Sequence, residues 1–224
     1  MASPKLIICV KSCQAHKERG DHDAIRSTWG GNAKAMGVEV KFFIGGNEIK
    51  QHQADEVYLG GPDDYHNLPT KTRKICAWAT GKVCDYIFLC DTDTFVNVAK
   101  LLATPFAQAD YAGKISKPIG TTFRYNAVDR DGNGEVHERC YPWASGGYGY
   151  FLSRKAFHEV MYAFPDSWAE DLWVGQVMGG LAAVGEITIA DLGIGHTDHF
   201  PSAQHGENYT PSSGWMQEKY LESK

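Results

Sequence analysis

An α/β fold with a mostly parallel central sheet flanked by helices is what the sequence predicts, on three observations. Apolar runs alternate with helical patterns through the first half, the order produced by strand–helix–strand units. Residues 86–90, Tyr-Ile-Phe-Leu-Cys, are a short continuous apolar run, which marks a strand buried on both faces. The 224 residues are 43% hydrophobic and 22% charged, with no internal repeat or low-complexity linker. That suits a single domain with a sizeable core, a first half of about 1–100 and a second of about 101–224.

The elements follow in order. Residues 6–10 read as a buried first strand, since the run is too short for a signal segment or a membrane span. A short helix is expected near 23–29, and a second strand at 38–44 closed by Gly45-Gly46. A third strand is expected at 56–59, ending at Gly60-Gly61-Pro62. From 67 to about 82 the spacing of Ile75, Trp78 and Ala79 predicts a longer helix. After the strand at 86–90 come a helix at 98–103, a strand at 111–115 and a turn-rich hairpin tip at 129–134. A strand at 147–153, helices at 154–163 and 171–181, and a late strand at 186–191 complete the pattern. The tail from Gly193, rich in His, Ser and Gly, reads as loop.

Composition narrows function. The net charge is -5 and there is no long basic run, so duplex binding by phosphate neutralisation is not favoured, nor is a membrane-surface role. Six cysteines without a CxxC pair read as mostly reduced, buried thiols of a cytoplasmic protein.

The most informative segment joins the 86–90 strand to Asp91-Thr92-Asp93. In parallel sheets ligands bind beyond the carboxyl ends of the strands, where Asp91 falls. In extended backbone, residues two apart project to one side. Two such carboxylates can share a hard divalent cation, magnesium or manganese, and bridge it to phosphates. A strand-end turn with Asp91 capping and Asp93 solvated would use the same residues. Asp129-Arg-Asp131-Gly-Asn133-Gly134 has the opening of a calcium loop, but the twelfth position would be Cys140 rather than Glu, so it reads as a hairpin tip.

Four blocks in one order resemble the beta-1,3-glycosyltransferase and Fringe-like group. They are Ile25-Arg26-Ser27-Thr28-Trp29; Asp64-Tyr65-His66-Asn67-Leu68-Pro69-Thr70-Lys71-Thr72 with Trp78 and then Asp91-Thr92-Asp93; Tyr141-Pro142-Trp143-Ala144-Ser145-Gly146-Gly147-Tyr148-Gly149-Tyr150; and Glu170-Asp171-Leu172-Trp173-Val174-Gly175. The family often carries three acidic residues where this chain has Asp91-Thr92-Asp93, and its familiar members have an amino-terminal anchor and stem that this sequence does not show.

The resemblance implies a GT-A-like fold and an inverting transfer of a sugar from a UDP-sugar to an acceptor hydroxyl, with manganese or magnesium as cofactor. It implies that Asp91 and Asp93 hold metal and donor, that Arg26 and Lys71 are donor-site cations, and that Asp171 is the general base. Glu170 would orient the acceptor or its loop. Gly146 and Gly147 would wall the pocket, where glycine lets backbone approach a ligand, and Trp143 would stack on a sugar. A carboxylate near Trp168 and Trp173 is also expected to have a raised pKa. A histidine returning from the tail would complete the metal shell; His196 and His199 both qualify, with His196 preferred. The acceptor stays open among a glycan, a lipid-linked sugar, a protein and a hydroxylated DNA base, the last disfavoured by charge. Two other classes remain: a nucleotidyl- or phosphotransferase using the same carboxylates, although no P-loop is present, and a non-catalytic carbohydrate-binding module.

Overall fold

The computed structural model describes residues 4–47, 52–128, 134–199 and 213–224. The strands are β1 (Leu6–Lys11), β2 (Glu39–Ile44), β3 (Glu56–Tyr58), β4 (Tyr86–Asp91), β5 (Thr94–Val96), β6 (Tyr111–Gly113), β7 (Phe123–Val128), β8 (Gly134–Cys140), β9 (Tyr150–Ser153), β10 (Ile189–Asp191) and β11 (Thr197–His199). The helices are α1 (Gln14–Arg19), α2 (Asp21–Ser27), α3 (Trp29–Ala35), α4 (Leu68–Thr80), α5 (Val98–Ala103), α6 (Arg154–Tyr162), α7 (Glu170–Ala183) and α8 (Ser213–Glu222).

The central sheet runs β10-β6-β9-β4-β1-β2-β3. All of its neighbours pair in parallel except β9, which is antiparallel to both β4 and β6. The expected α/β, mostly parallel sheet is therefore the observed one. Alternation along β1 sends its side chains into two cores. Ile7 and Cys9 pack with Ile75, Cys76 and Ala79 of α4, Phe157 of α6, and Trp173 and Met178 of α7. Leu6, Ile8 and Val10 pack with Ile25 and Trp29 of α2 and α3 and Leu101 of α5. Cys9, Cys76, Cys84 and Cys90 are buried, as the thiol reading requires.

Several expectations need correction. The single early helix is three short ones, broken at Gly20 (φ +92°) and again at Thr28, whose hydroxyl donates back to the Ala24 carbonyl at 2.6 Å. The strand expected at 147–153 begins at Tyr150, because Gly146–Tyr148 is a 3-10 turn and Gly149 has φ +76°. A Cβ on Gly149 would lie 2.3 Å from the Phe88 ring, so only glycine lets this turn press on β4. The tail is not all loop: β11 pairs with β5, and α8 buries Met216. The 129–134 hairpin joins β7 to β8, paired from Phe123↔Cys140 to Val128↔Gly134; residues 129–133 lie outside those described. Among the described residues, no helix is long and apolar enough to cross a membrane.

Candidate active site

Sheet register builds the site. Lys11 ends β1 directly beside Asp91, which ends β4. A cleft of about 500 Å³ opens beyond these ends, lined among others by Lys71, Asp91, Asp93, Gly146, Gly147, Glu170, Asp171 and His199. Eight of the residues expected at the site from the sequence therefore share one cavity.

The carboxylate pair does not sit on extended backbone. β4 stops at Asp91, and Thr92 and Asp93 form a turn into β5. Thr92 points away from solvent, 2.7 Å from His16 Nδ1. Thr94 fixes the turn: its hydroxyl accepts from the Asp91 N–H at 3.2 Å and donates to the Gly147 carbonyl at 2.9 Å. That bond also joins the turn to the glycine-rich wall. Antiparallel β11 then delivers His199 opposite Thr94, with Nε2 3.4 Å from Asp93 Oδ2. A Cβ on Gly147 would stand 2.7 Å from the His199 ring, so the wall is glycine where the histidine needs room.

Lys11 is the unforeseen center of the site. Its Nζ, on a side chain only 2% exposed, lies 2.8 Å from Glu170 Oε2 and 3.3 Å from Asp91 Oδ1. Burial opposes its charge, yet the two carboxylates outweigh this and hold the ammonium well above the usual lysine range. Glu170 Oε1 accepts from Thr72 Oγ1 at 2.6 Å and from the Tyr150 hydroxyl. Glu170 is thus a buried hub joining α4, β1, β9 and α7.

Asp91 keeps about a third of its side chain open to the cleft, at 33%. Its desolvated remainder and the nearby Asp93 and Glu170 charges push its pKa up to about 6, against the pull of Lys11. Asp171, in the first turn of α7, accepts from the Gly146 N–H at 3.0 Å and the Leu172 N–H at 2.8 Å. Burial, then the Glu170 charge, raise its pKa above the ordinary carboxylate value, the direction expected beside Trp168 and Trp173.

Three expected residues do not line the cleft. Arg26 is captured elsewhere: it binds Asp55 through two bonds of 2.9 and 2.7 Å, Glu56 at 3.0 Å and Asp23 at 2.8 Å. Trp143 meets the Phe123 ring at 5.6 Å and backs onto Gly175 of α7, whose Cβ would come 2.3 Å from the Trp143 Cβ. His196, 2% exposed, lies near the Phe88 and Phe151 rings, each 6.3 Å away. His199, not the preferred His196, is therefore the histidine beside Asp93. Lys71 lines the cleft but is held by the Ser12 carbonyl and by Asp63 Oδ1 at 2.8 Å.

Sequence reasoning also missed a relay at the end of β1. Ser12 Oγ is 2.7 Å from His22 Nε2, and His22 Nδ1 is 3.1 Å from Glu56 Oε1. Glu56 also accepts from Lys17 at 2.6 Å and from Arg26, so the relay ties β1 to β3 through α1 and α2. The sequence offered no signal for it: His22 sits between Asp21 and Asp23, Glu56 follows Asp55, and no local pattern links the two.

Asp91 and Asp93 at the turn, with the His199 imidazole reaching Asp93 from β11, are donors of the type a divalent cation such as manganese takes, although among the described residues no three His, Cys, Asp or Glu side chains are already gathered about a metal position. The Asp93 charge raises the cost of ionising Asp91, and a cation bound between them would relieve it.

Comparisons with known proteins agree on a family. A family profile described as Galactosyltransferase matches residues 21–186. Beta-1,3-galactosyltransferase 4 of Canis lupus familiaris is 32% identical over 197 residues, covering 72% of this chain and 51% of the relative. The human UDP-GlcNAc:betaGal beta-1,3-N-acetylglucosaminyltransferase 9 is 28% identical over 192 residues, covering 70% of this chain and 46% of the relative. The chain spans between 32% and 51% of the length of these relatives and human beta-1,3-galactosyltransferase 4. Among solved structures, a 4-diphosphocytidyl-2C-methyl-D-erythritol synthase from Anaerococcus prevotii DSM 20548 superposes with a TM-score of 0.51 at 8% identity, covering 98% of this chain and 97% of the synthase. That likeness concerns the fold alone.

Proposed function

The chain belongs to the galactosyltransferase family, and from that premise we propose that it is an inverting, metal-dependent glycosyltransferase moving a sugar from a UDP-sugar to an acceptor hydroxyl. The observation that carries the reading is the convergence of Asp91, Asp93 and His199 with Asp171 in one cleft. The GT-A-like sheet supports it: Asp91 ends β4, Asp93 lies in the turn that follows, and Asp171 is in the first turn of α7. The similarity to the human UDP-GlcNAc:betaGal beta-1,3-N-acetylglucosaminyltransferase 9 supports a UDP-sugar donor and a carbohydrate acceptor.

Asp91, Asp93 and His199 would hold the cation. When bound, such an ion supplies Lewis-acid stabilisation of the charge left on the departing diphosphate. Asp171 is the general base. The Gly146 and Leu172 N–H groups fix its carboxylate, and its raised pKa brings it closer to the range in which a base works at neutral pH. The acceptor hydroxyl gives its proton to an Asp171 oxygen as its own oxygen forms the new bond at the anomeric carbon. Attack from the side away from the diphosphate inverts that carbon. Lys11 and Glu170 hold the floor of the cleft rather than exchanging protons with substrate. On this reading residues of about 1–100 serve the donor and those of about 101–224 the acceptor.

The test is a panel of nucleotide-sugars with manganese and simple sugar acceptors, scored for the released nucleotide. Release of UDP supports the transferase. Release of sugar 1-phosphate would move the assignment to nucleotidyl transfer. Asp171→Asn should bind UDP normally and lose transfer by about 10²–10⁴-fold, the usual worth of a positioned base. A variant that transfers at the normal rate removes Asp171 from this role.

A further inference from the structure

One residue of the cleft lining, Tyr65, belongs to an aromatic cluster for which the transfer chemistry has no use. Tyr65, a cleft-lining residue, is 43% exposed despite its large ring. Its ring stands 5.8 Å from that of Trp168 and 6.5 Å from that of His66, and His66 is 6.4 Å from Trp168. Two segments about a hundred residues apart build the cluster: the 3-10 turn Tyr65–Asn67 ahead of α4, and the loop that leads into α7.

The indole of Trp168 has a second peculiarity. Its Nε1 is buried and makes no hydrogen bond among the described residues. A buried donor left without a partner is destabilising. A phenylalanine would pack against Tyr65 and His66 without that penalty, so the broader indole face is what the position exploits. Beside the rings, Asp64 also lines the cleft, and the Asn67 side-chain amide holds both its oxygens at 2.9 Å. That bond keeps Asp64 below the usual carboxylate range, so it is a charged acceptor of hydrogen bonds at the edge of an apolar face.

We propose that the exposed Tyr65 ring, with Trp168 tilted against it at 45° and His66 at 83°, seats the C–H face of a pyranose ring of the acceptor, with Asp64 receiving its ring hydroxyls. Apolar faces flanked by a few placed polar groups are how small polar ligands are oriented, and a hydroxylated ring with one face of C–H bonds matches this pairing. Trp168 lies three residues before Asp171, and Tyr65 and Asp171 line the same cleft. The proposal rests on the reading of Asp171 as the acceptor's base. A nucleobase would also stack on an aromatic ring, but the chain connection to Asp171 favours the acceptor.

The experiment titrates methyl β-D-galactopyranoside, methyl β-D-glucopyranoside and methyl N-acetyl-β-D-glucosaminide into protein saturated with UDP and manganese. Tryptophan fluorescence and saturation-transfer NMR read the binding, and thermal melting controls for folding. At least one sugar should bind, with its ring C–H protons receiving the strongest transfer. Trp168→Ala and Tyr65→Ala should each weaken it tenfold or more, Trp168→Phe clearly less, and UDP affinity should hold within twofold. Three results overturn the platform: no sugar binding to the unaltered protein, unchanged sugar affinity in Trp168→Ala, or a matching loss of UDP affinity, which would give the rings to the nucleobase. Failure of the unaltered protein to bind UDP instead sinks the donor reading, and the sugars titrated alone then decide the platform by the same first two criteria.

Discussion

Replacing Lys11 with methionine tests the electrostatic account of the site floor. Methionine keeps most of the stem's volume and removes the charge. The Glu170 side chain is 4% exposed and loses its only cation within salt-bridge distance among the described residues. Asp91, with 33% of its side chain open, is better screened by solvent and adds less. Breaking a buried pair from one side costs about 3–5 kcal/mol. For a chain of this length, at ~2–4 °C per kcal/mol, that is a fall in Tm of about 6–20 °C.

The loss should depend on pH with a definite sign. Asp91 has a folded-state pKa raised from 3.8 to about 6, so its favourable contribution is complete below the lower value and lost as pH rises through the upper one. Without Lys11 the upper edge moves higher. The deficit of Lys11→Met should therefore be widest near pH 8 and narrower near pH 5. Circular-dichroism melts at the two pH values measure it, and the double variant Lys11→Met/Glu170→Gln should recover part of the loss, since it removes the stranded charge. A single variant that melts within 2 °C of the unaltered protein at pH 8 would show that Lys11 does not hold the floor together.

Two further outcomes follow from the geometry. Gly179→Ala should destabilise by about 1–3 kcal/mol through overpacking, because its Cβ would fall 2.1 Å from the Tyr141 Cβ; Gly180→Ala, with nothing within 4 Å, should instead stabilise by up to ~1 kcal/mol of helix propensity, and a chemical-denaturation pair that ranks them the other way contradicts the packing. Asp171 must be ionised to accept a proton and its pKa is raised, so kcat/KM should fall as pH drops through a value above the ordinary 3.8, a limb that Asp171→Asn abolishes; a pH–rate profile flat down to pH 4 is inconsistent with it.

The parts of the fold that could be read from the sequence are those held by local pattern. Residues 98–103 and the apolar runs of β1 and β4 declare themselves within a few residues of chain. α1 buries none of its residues, so it leaves no periodic trace. β5 and β11 are three residues each and exist through pairing across about a hundred positions, which no window of sequence contains. The site follows the same division. Asp91, Asp93 and Asp171 stand out through motif chemistry, while Lys11 ends a strand as an ordinary surface lysine would. Only its register against Asp91 shows that it is buried. Arg26 on α2 shows the converse: its partners Asp55 and Glu56 lie at the start of β3, about thirty residues on, and nothing local announces them.

Gly175 and Gly179, one turn apart on α7, let the segment Tyr141–Trp143 lie almost against the helix backbone. That segment is the stalk from which the β7–β8 hairpin projects, and the same helix begins with Glu170 and Asp171. With glycine on the helix side of this joint, the stalk rests directly on the backbone of the helix whose first turn carries Glu170 and Asp171, so any larger residue at either position would pry the two apart.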